Sequence, residues 1–174
     1  FCEKVRLVLA AKRLDYSVVE VVPGVGQLEL VRLSGQRQVP VLVDGPEVIA
    51  DSTAIALHLE ARQPQPALLP ADPAARAQVR LLEDWADTTL AAGARLALVQ
   101  AAAADPVLRT ALLPEATPDG LRSLVGALPG GLLAGLGQVV DQGALQDLRS
   151  NLEQLAVLVQ AQPYLVGSAL SLAD

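Results

Sequence analysis

Gln63-Pro64-Gln65-Pro66 marks the point where the whole pattern of the chain changes, and this break constrains the fold more than any overall figure. Before it, short apolar runs alternate with stretches of helical spacing. Residues 2–13 predict a helix with Val5, Val8 and Leu9 on one face. Tyr16 to Val22, β-branched and apolar, predicts a strand ended by Pro23-Gly24. Gln27 to Leu33 predicts a short helix. Val39–Val43 and Val48–Ala50 then flank Asp44-Gly45-Pro46, a strong hairpin turn signal. Ser52 through Ala61 returns to helical spacing. The order is that of an α/β domain whose sheet ends in an antiparallel hairpin.

Beyond the break the chain is helical. Asp72 and Pro73 form a good N-cap and first-turn pair, and Ala and Leu dominate residues 73–103, with Val79, Leu82, Ala86 and Leu90 on one face. Leu145, Leu148, Leu152, Leu155 and Val159 recur at spacings of 3, 4, 3 and 4 and predict a helix over 144–161 whose stripe is buried. Prolines punctuate residues 105–137, and Gly130-Gly131, Gly135 and Gly137 predict a loop. Two domains result, 1–67 and 68–174, the second all-α.

Composition narrows the function classes. Lys and Arg number 13 and Asp and Glu 19, a formal charge of −6, so a surface of clustered positive charge for nucleic acid is not expected. Hydrophobic residues make up 52% and charged residues 18%, which argues against charge-driven disorder. No apolar run approaches the roughly 18 residues of a membrane span, and no signal peptide is visible. The single Cys2 cannot form an internal disulfide, so a reducing cytoplasm is the default. Eleven Arg against two Lys hint at a GC-rich bacterial genome. The chain opens on Phe1 and contains no Met, and Ser171-Leu172-Ala173-Asp174 has the form of a capping box at a helix start, so the piece looks trimmed at both ends.

Most catalytic templates fail. One His (His58) and one Cys cannot build a His/Cys metal site. His58 lies among Ala and Leu, as a packed histidine does, rather than as a base. Pro23-Gly24-Val25-Gly26 lacks the third glycine of a dinucleotide fingerprint, because Glu29 occupies it. Trp85 fits a helical core position.

Two places remain. At Gln38-Val39-Pro40 a proline opens a strand; a cis Val39–Pro40 bond would leave the Val39 backbone free for an extended ligand, whereas a trans bond would make an ordinary strand start. At Asp51-Ser52-Thr53 a helix begins. Its N-terminus and the Ser52 hydroxyl suit a carboxylate, and Asp51 suits an ammonium, together an α-amino-acid head group. The competing reading is that Asp51 or Ser52 merely caps the helix.

Phe1-Cys2-Glu3-Lys4-Val5-Arg6, Gln38-Val39-Pro40-Val41-Leu42, Asp51-Ser52-Thr53-Ala54-Ile55 and Ser171-Leu172-Ala173-Asp174 resemble cytosolic glutathione transferases in order and spacing, across both domains. The resemblance implies a thioredoxin-like N-terminal domain, its first strand missing here, then an incomplete helical domain, usually in a homodimer. It implies that Val39 and Pro40 hold the cysteinyl backbone of glutathione through a cis proline, that Asp51 and Ser52 hold its γ-glutamyl group, and that Gln38 reaches its glycyl end. The thiol-activating residue would lie two positions upstream of Phe1, and Cys2 would match the second Cys of a Cys-x-x-Cys motif, where a structural role is the expectation.

The leading function is a detoxifying glutathione transferase, with glutathione as co-substrate, no metal, and a small hydrophobic electrophile attacked by the thiolate. The alternatives are a thiol transferase or dehydroascorbate reductase, which needs an upstream Cys, and a transferase-like domain that assembles without turnover.

Overall fold

The computed structural model describes residues 1–21, 25–115, 117–131 and 143–174. They form two compact units, Phe1–Arg80 with Val166–Asp174, and Leu81–Leu165.

In the first unit, helix α1 (Cys2–Ala11), helix α2 (Val25–Ser34), strands β1 (Val41–Asp44) and β2 (Glu47–Ala50) and helix α3 (Ser52–Arg62) follow in order. The hairpin pairs antiparallel, Val41 with Ala50 through Asp44 with Glu47, around the two-residue turn Gly45-Pro46. Gly45 has φ +60°, and the ring of Pro46 holds φ negative, the sign pattern of a type II′ turn. Val5, Val8 and Leu9 of α1 pack with Ile55, Ala56 and Leu59 of α3 and with Leu68. Each buried aliphatic side chain of this kind contributes about 1.5–3 kcal/mol.

Two polar rungs tie α1 to α3. Lys4 Nζ donates to Thr53 Oγ1 at 3.0 Å, and Lys12, buried at the end of α1, is ion-paired with Glu60. Residue numbers rise together along both helices, so α1 and α3 run parallel and their N-termini lie at one end.

The residues after α3 are firmly held. Lys12 Nζ also donates to Pro66 O at 2.7 Å, and the Glu60 carboxylate accepts from the backbone of Leu68 at 3.1 Å and Leu69 at 3.2 Å. The backbone N–H of Leu172 donates to Leu68 O at 2.9 Å. Asp174 reaches back to Ser171 N at 2.9 Å, half of the expected capping box, but Ser171 Oγ accepts from Ala173 N at 3.2 Å rather than from Asp174, and residues 172–173 form a turn. Helix α4 (Pro73–Trp85) begins where expected, with the Asp72 carboxylate accepting from Ala75 N at 2.8 Å.

The expected strand at Tyr16–Val22 is not formed over residues 16–21, and Val22 lies outside the described residues. A strand needs a ladder, and among the described residues the sheet is β1 and β2 alone. Val19 accordingly stands 85% exposed.

In the second unit α4 passes through a π-helical turn (Ala86–Leu90) into helix α5 (Ala91–Ala104), so the predicted helix over 73–103 is one helix with a bulge. Trp85 is half-buried. Helix α6 (Pro106–Ala111) is capped by Asp105, whose Oδ1 accepts from Val107 N at 2.8 Å, and helix α7 spans Asp119–Ala127. Arg109, buried in α6, closes both neighbouring helices. Its guanidinium donates to Ala102 O at 2.9 Å and Ala103 O at 3.0 Å at the end of α5, and to Gly126 O at 3.3 Å and to Leu128 O at the end of α7. These are carbonyls that helix ends leave without intrahelical partners.

Gly130 and Gly131, expected in a loop, are helical, whereas Gly135 and Gly137 lie outside the described residues. A Cβ at Gly130 would stand 2.4 Å from Ala103 O, so close packing on α5 accounts for this glycine. Helix α8 (Gly143–Ala161) matches the expected 144–161, but its leucine stripe is not uniformly buried. Leu145, Leu148 and Leu155 are half-buried, whereas Leu152 and Val159 are exposed. The covered face runs through Asn151 instead, and every residue after Leu155 in the helix is exposed.

Candidate functional site

The hairpin register decides what its open end gathers. Val41 and Ala50 are the paired residues farthest from the turn, so Pro40 and Asp51 leave the ladder from directly opposed positions. Gln38 and Val39 precede on one side, and Ser52 opens α3 on the other. Four of the five sequence-singled residues thus flank one end of one hairpin, with Gln38 one step further out. Gln38 and Val39 are exposed and Pro40 is half-buried. The Val39–Pro40 peptide is cis, and Val39 stands outside the β1–β2 ladder.

Asp51 is the N-cap of α3. Its Oδ1 accepts from Thr53 N at 2.9 Å and from Ala54 N at 3.0 Å, and its carbonyl accepts from Ile55 N at 2.9 Å. The capping reading therefore holds for Asp51, and its Oδ2 is left outside the cap. Asp51 also has φ +79°, a conformation that costs a non-glycine residue about 1–3 kcal/mol.

Ser52 is different. It is 2% exposed, and its Oγ has no hydrogen-bond partner. An orphaned buried hydroxyl costs about 1–3 kcal/mol, and as the first helical residue Ser52 also carries an N–H with no intrahelical acceptor. Two donors thus remain at a helix N-terminus whose dipole favours an anion. Cys2 opens α1 at this same end, exposed and free of any disulfide.

The other end of α3 is saturated. His58 Nε2 lies 2.9 Å from Asp44 Oδ2, His58 Nδ1 lies 3.7 Å from Glu47 Oε2, and Arg62 is ion-paired with Asp44. The His58 hydrogen bond, with the adjacent Arg62, holds the Asp44 carboxyl below its ordinary 3.8, against the opposing pull of burial. His58 fastens α3 to the hairpin turn.

Sequence reasoning missed Lys4, Thr53, Lys12 and Glu60. One signal was present: both lysines of the chain lie on or at the end of α1, whereas ten of its eleven arginines lie outside that helix. Among the described residues no cluster of three or more His, Cys, Asp or Glu is placed to hold a metal ion, and no helix is long and apolar enough to cross a membrane.

Residues 1–67 match the family described as glutathione S-transferase, N-terminal domain. The stringent starvation protein A homolog of Pasteurella multocida (strain Pm70) is 38% identical over 90 residues, 49% of this chain and 42% of that protein. Maleylacetoacetate isomerase of Rattus norvegicus is 41% identical over 87 residues, 47% of this chain and 40% of the isomerase. The matched stretches span less than half of either relative's length. The crystal structure of the theta class glutathione S-transferase from the citrus canker pathogen Xanthomonas axonopodis pv. citri, with glutathione bound, aligns with a TM-score of 0.64 and 26% identity, covering 98% of this chain and 70% of that one. Residues 1–67 thus belong to the glutathione S-transferase N-terminal domain family, and the thioredoxin-like N-terminal domain followed by a helical one is the fold of glutathione transferases.

Proposed function

We propose that the chain binds glutathione at the open end of the hairpin and joins its thiolate to small hydrophobic electrophiles. The observation that carries this reading is the buried, unpartnered Ser52 Oγ at the first turn of α3. A hydroxyl buried at such cost finds its purpose in a ligand that accepts from it. Ser52 Oγ and N–H hold the γ-glutamyl carboxylate, Asp51 Oδ2 holds the ammonium, the Val39 backbone beside Pro40 pairs with the cysteinyl residue, and Gln38 reaches the glycyl end. Glutathione supplies the sulfur nucleophile, and these residues fix its orientation. In this reading residues 1–67 bind glutathione, residues 68–174 carry the wall for the electrophile, and the protein works as a cytoplasmic homodimer.

Calorimetric titration of glutathione, with Ser52→Ala alongside, tests the site. Saturable binding that the substitution weakens is the expected result; equal affinity in both proteins overturns it. The match to maleylacetoacetate isomerase favours a second reading, isomerisation at the same site. Mass spectrometry of the products separates the two, because conjugation adds the mass of glutathione and isomerisation leaves the mass unchanged. Binding without turnover of either kind would leave an assembly role.

A further inference from the structure

We infer that His58 makes the hairpin turn a proton-operated latch: its imidazolium form bridges Asp44 and Glu47 and clamps the turn to α3, and loss of the proton releases Glu47. The need for cations follows from the register. Asp44 and Glu47 are the paired residues nearest the turn, and like charges directly opposed across an antiparallel pair are destabilising. Arg62 is ion-paired with Asp44. Glu47 has His58 as its ion-pair partner among the described residues. Both nitrogens of the ring therefore face a carboxylate oxygen, Nε2 at 2.9 Å from Asp44 Oδ2 and Nδ1 at 3.7 Å from Glu47 Oε2.

A neutral imidazole has one N–H and one lone pair. With its proton on Nε2 and donated to Asp44, the ring turns the Nδ1 lone pair toward Glu47 and gives that carboxylate nothing. The imidazolium carries a proton on each nitrogen and attracts both carboxylates at once. It also cancels the negative charge that Asp44 and Glu47 leave over after Arg62. The groups around α3 are otherwise accounted for. The helix packs on β1, β2 and α1; the strands contribute Asp44 and Glu47, and α3 itself contributes Arg62. From α1, Lys12 is paired with Glu60, Arg6 with Glu3, and Lys4 donates to Thr53. The His58 side chain is 20% exposed, so a proton reaches it from solvent without unfolding. Histidine is the side chain whose charge ordinarily changes between pH 5 and 8, so the latch is closed at the acid end of that range and open at the alkaline end. In stronger acid the carboxylates lose their own charge and the latch opens again.

His58 is the one histidine of the chain, so a single substitution isolates the latch. Urea unfolding of the native protein and of His58→Gln at about pH 5.5 and about pH 8 tests it. The Glu47 side chain is 63% exposed, and exposed ion pairs are weak, so the effect is small: the native folding equilibrium constant is expected to be about threefold larger at the lower pH, relative to His58→Gln. Glu47→Gln is expected to keep only part of that difference, because the bond from His58 to Asp44 remains. Equal pH dependence in native protein and His58→Gln overturns the latch, and so does full retention of the native dependence in Glu47→Gln, which leaves Asp44 as the sole partner. Carbon-13 NMR titration of the imidazole reads the same coupling in the native protein and Glu47→Gln if His58→Gln does not fold. The proton affinity of the ring is expected to fall about threefold in Glu47→Gln, and an unchanged value overturns the proposal.

Discussion

The two ends of α3 are built to opposite standards. At its C-terminal end every charged group is matched: His58 and Arg62 meet Asp44, and Glu60 holds Lys12 and the backbone of Leu68 and Leu69. At its N-terminal end Asp51 is strained and Ser52 is buried with an unused hydroxyl. One end is closed by the protein itself, and the other keeps hydrogen-bonding capacity in reserve. Folding accounts for the first end; the glutathione binding proposed above would account for the second.

The largest effect should come from breaking the closed end. Lys12→Met leaves Glu60 without its buried cation, and loss of one partner of such a pair costs about 3–5 kcal/mol; urea unfolding measures it. Asp51→Ala comes next. It removes the cap and puts another non-glycine residue at φ +79°, for an expected loss of about 1–2 kcal/mol, whereas Asp51→Asn keeps the cap and loses ligand affinity instead. Ser52→Ala should separate stability from function most cleanly. Removing an orphaned hydroxyl leaves the melting temperature unchanged or slightly raised, while glutathione affinity falls.

Acid should loosen the closed end. The Asp44 carboxyl titrates below 3.8 in the folded chain and near 3.8 once unfolded. Its contribution is therefore fully present above that value and is lost as pH falls through the lower, folded-state value. Melting temperatures followed from pH 5 to pH 2 should fall less steeply for Asp44→Asn than for the native protein. Leu152→Asp should do least, within about 0.5 kcal/mol, because Leu152 is 50% exposed.

Legibility in the sequence followed the range of the forces involved. The Asp44-Gly45-Pro46 turn, the Asp51 cap and the Asp72-Pro73 helix start are decided by residues within four positions of each other, and each is found where the sequence puts it. The open end of the hairpin follows from the turn, so Val39, Pro40, Asp51 and Ser52 could be brought together on paper. What a residue touches across the fold could not. The Lys12–Glu60 pair joins residues 48 apart, and no local pattern announces it. Tyr16–Val21 has the composition of a strand, but pairing depends on a neighbour that composition does not specify. The stripe from Leu145 to Val159 announces a helix, and only packing determines that Leu152 is left outside. The vacancy at Ser52 Oγ was likewise hidden, because a serine after a cap looks the same whether its hydroxyl is satisfied or not.

The two-residue turn at Gly45-Pro46 acts as a gauge for the site at the opposite end. Loop tips are where insertions are ordinarily tolerated, but here loop length sets which residue of β1 faces which residue of β2. One residue added at the turn would slide Pro40 past Asp51 by a full strand position and turn alternate side chains to the wrong face. This exposed corner of the hairpin thus has little freedom to change its length.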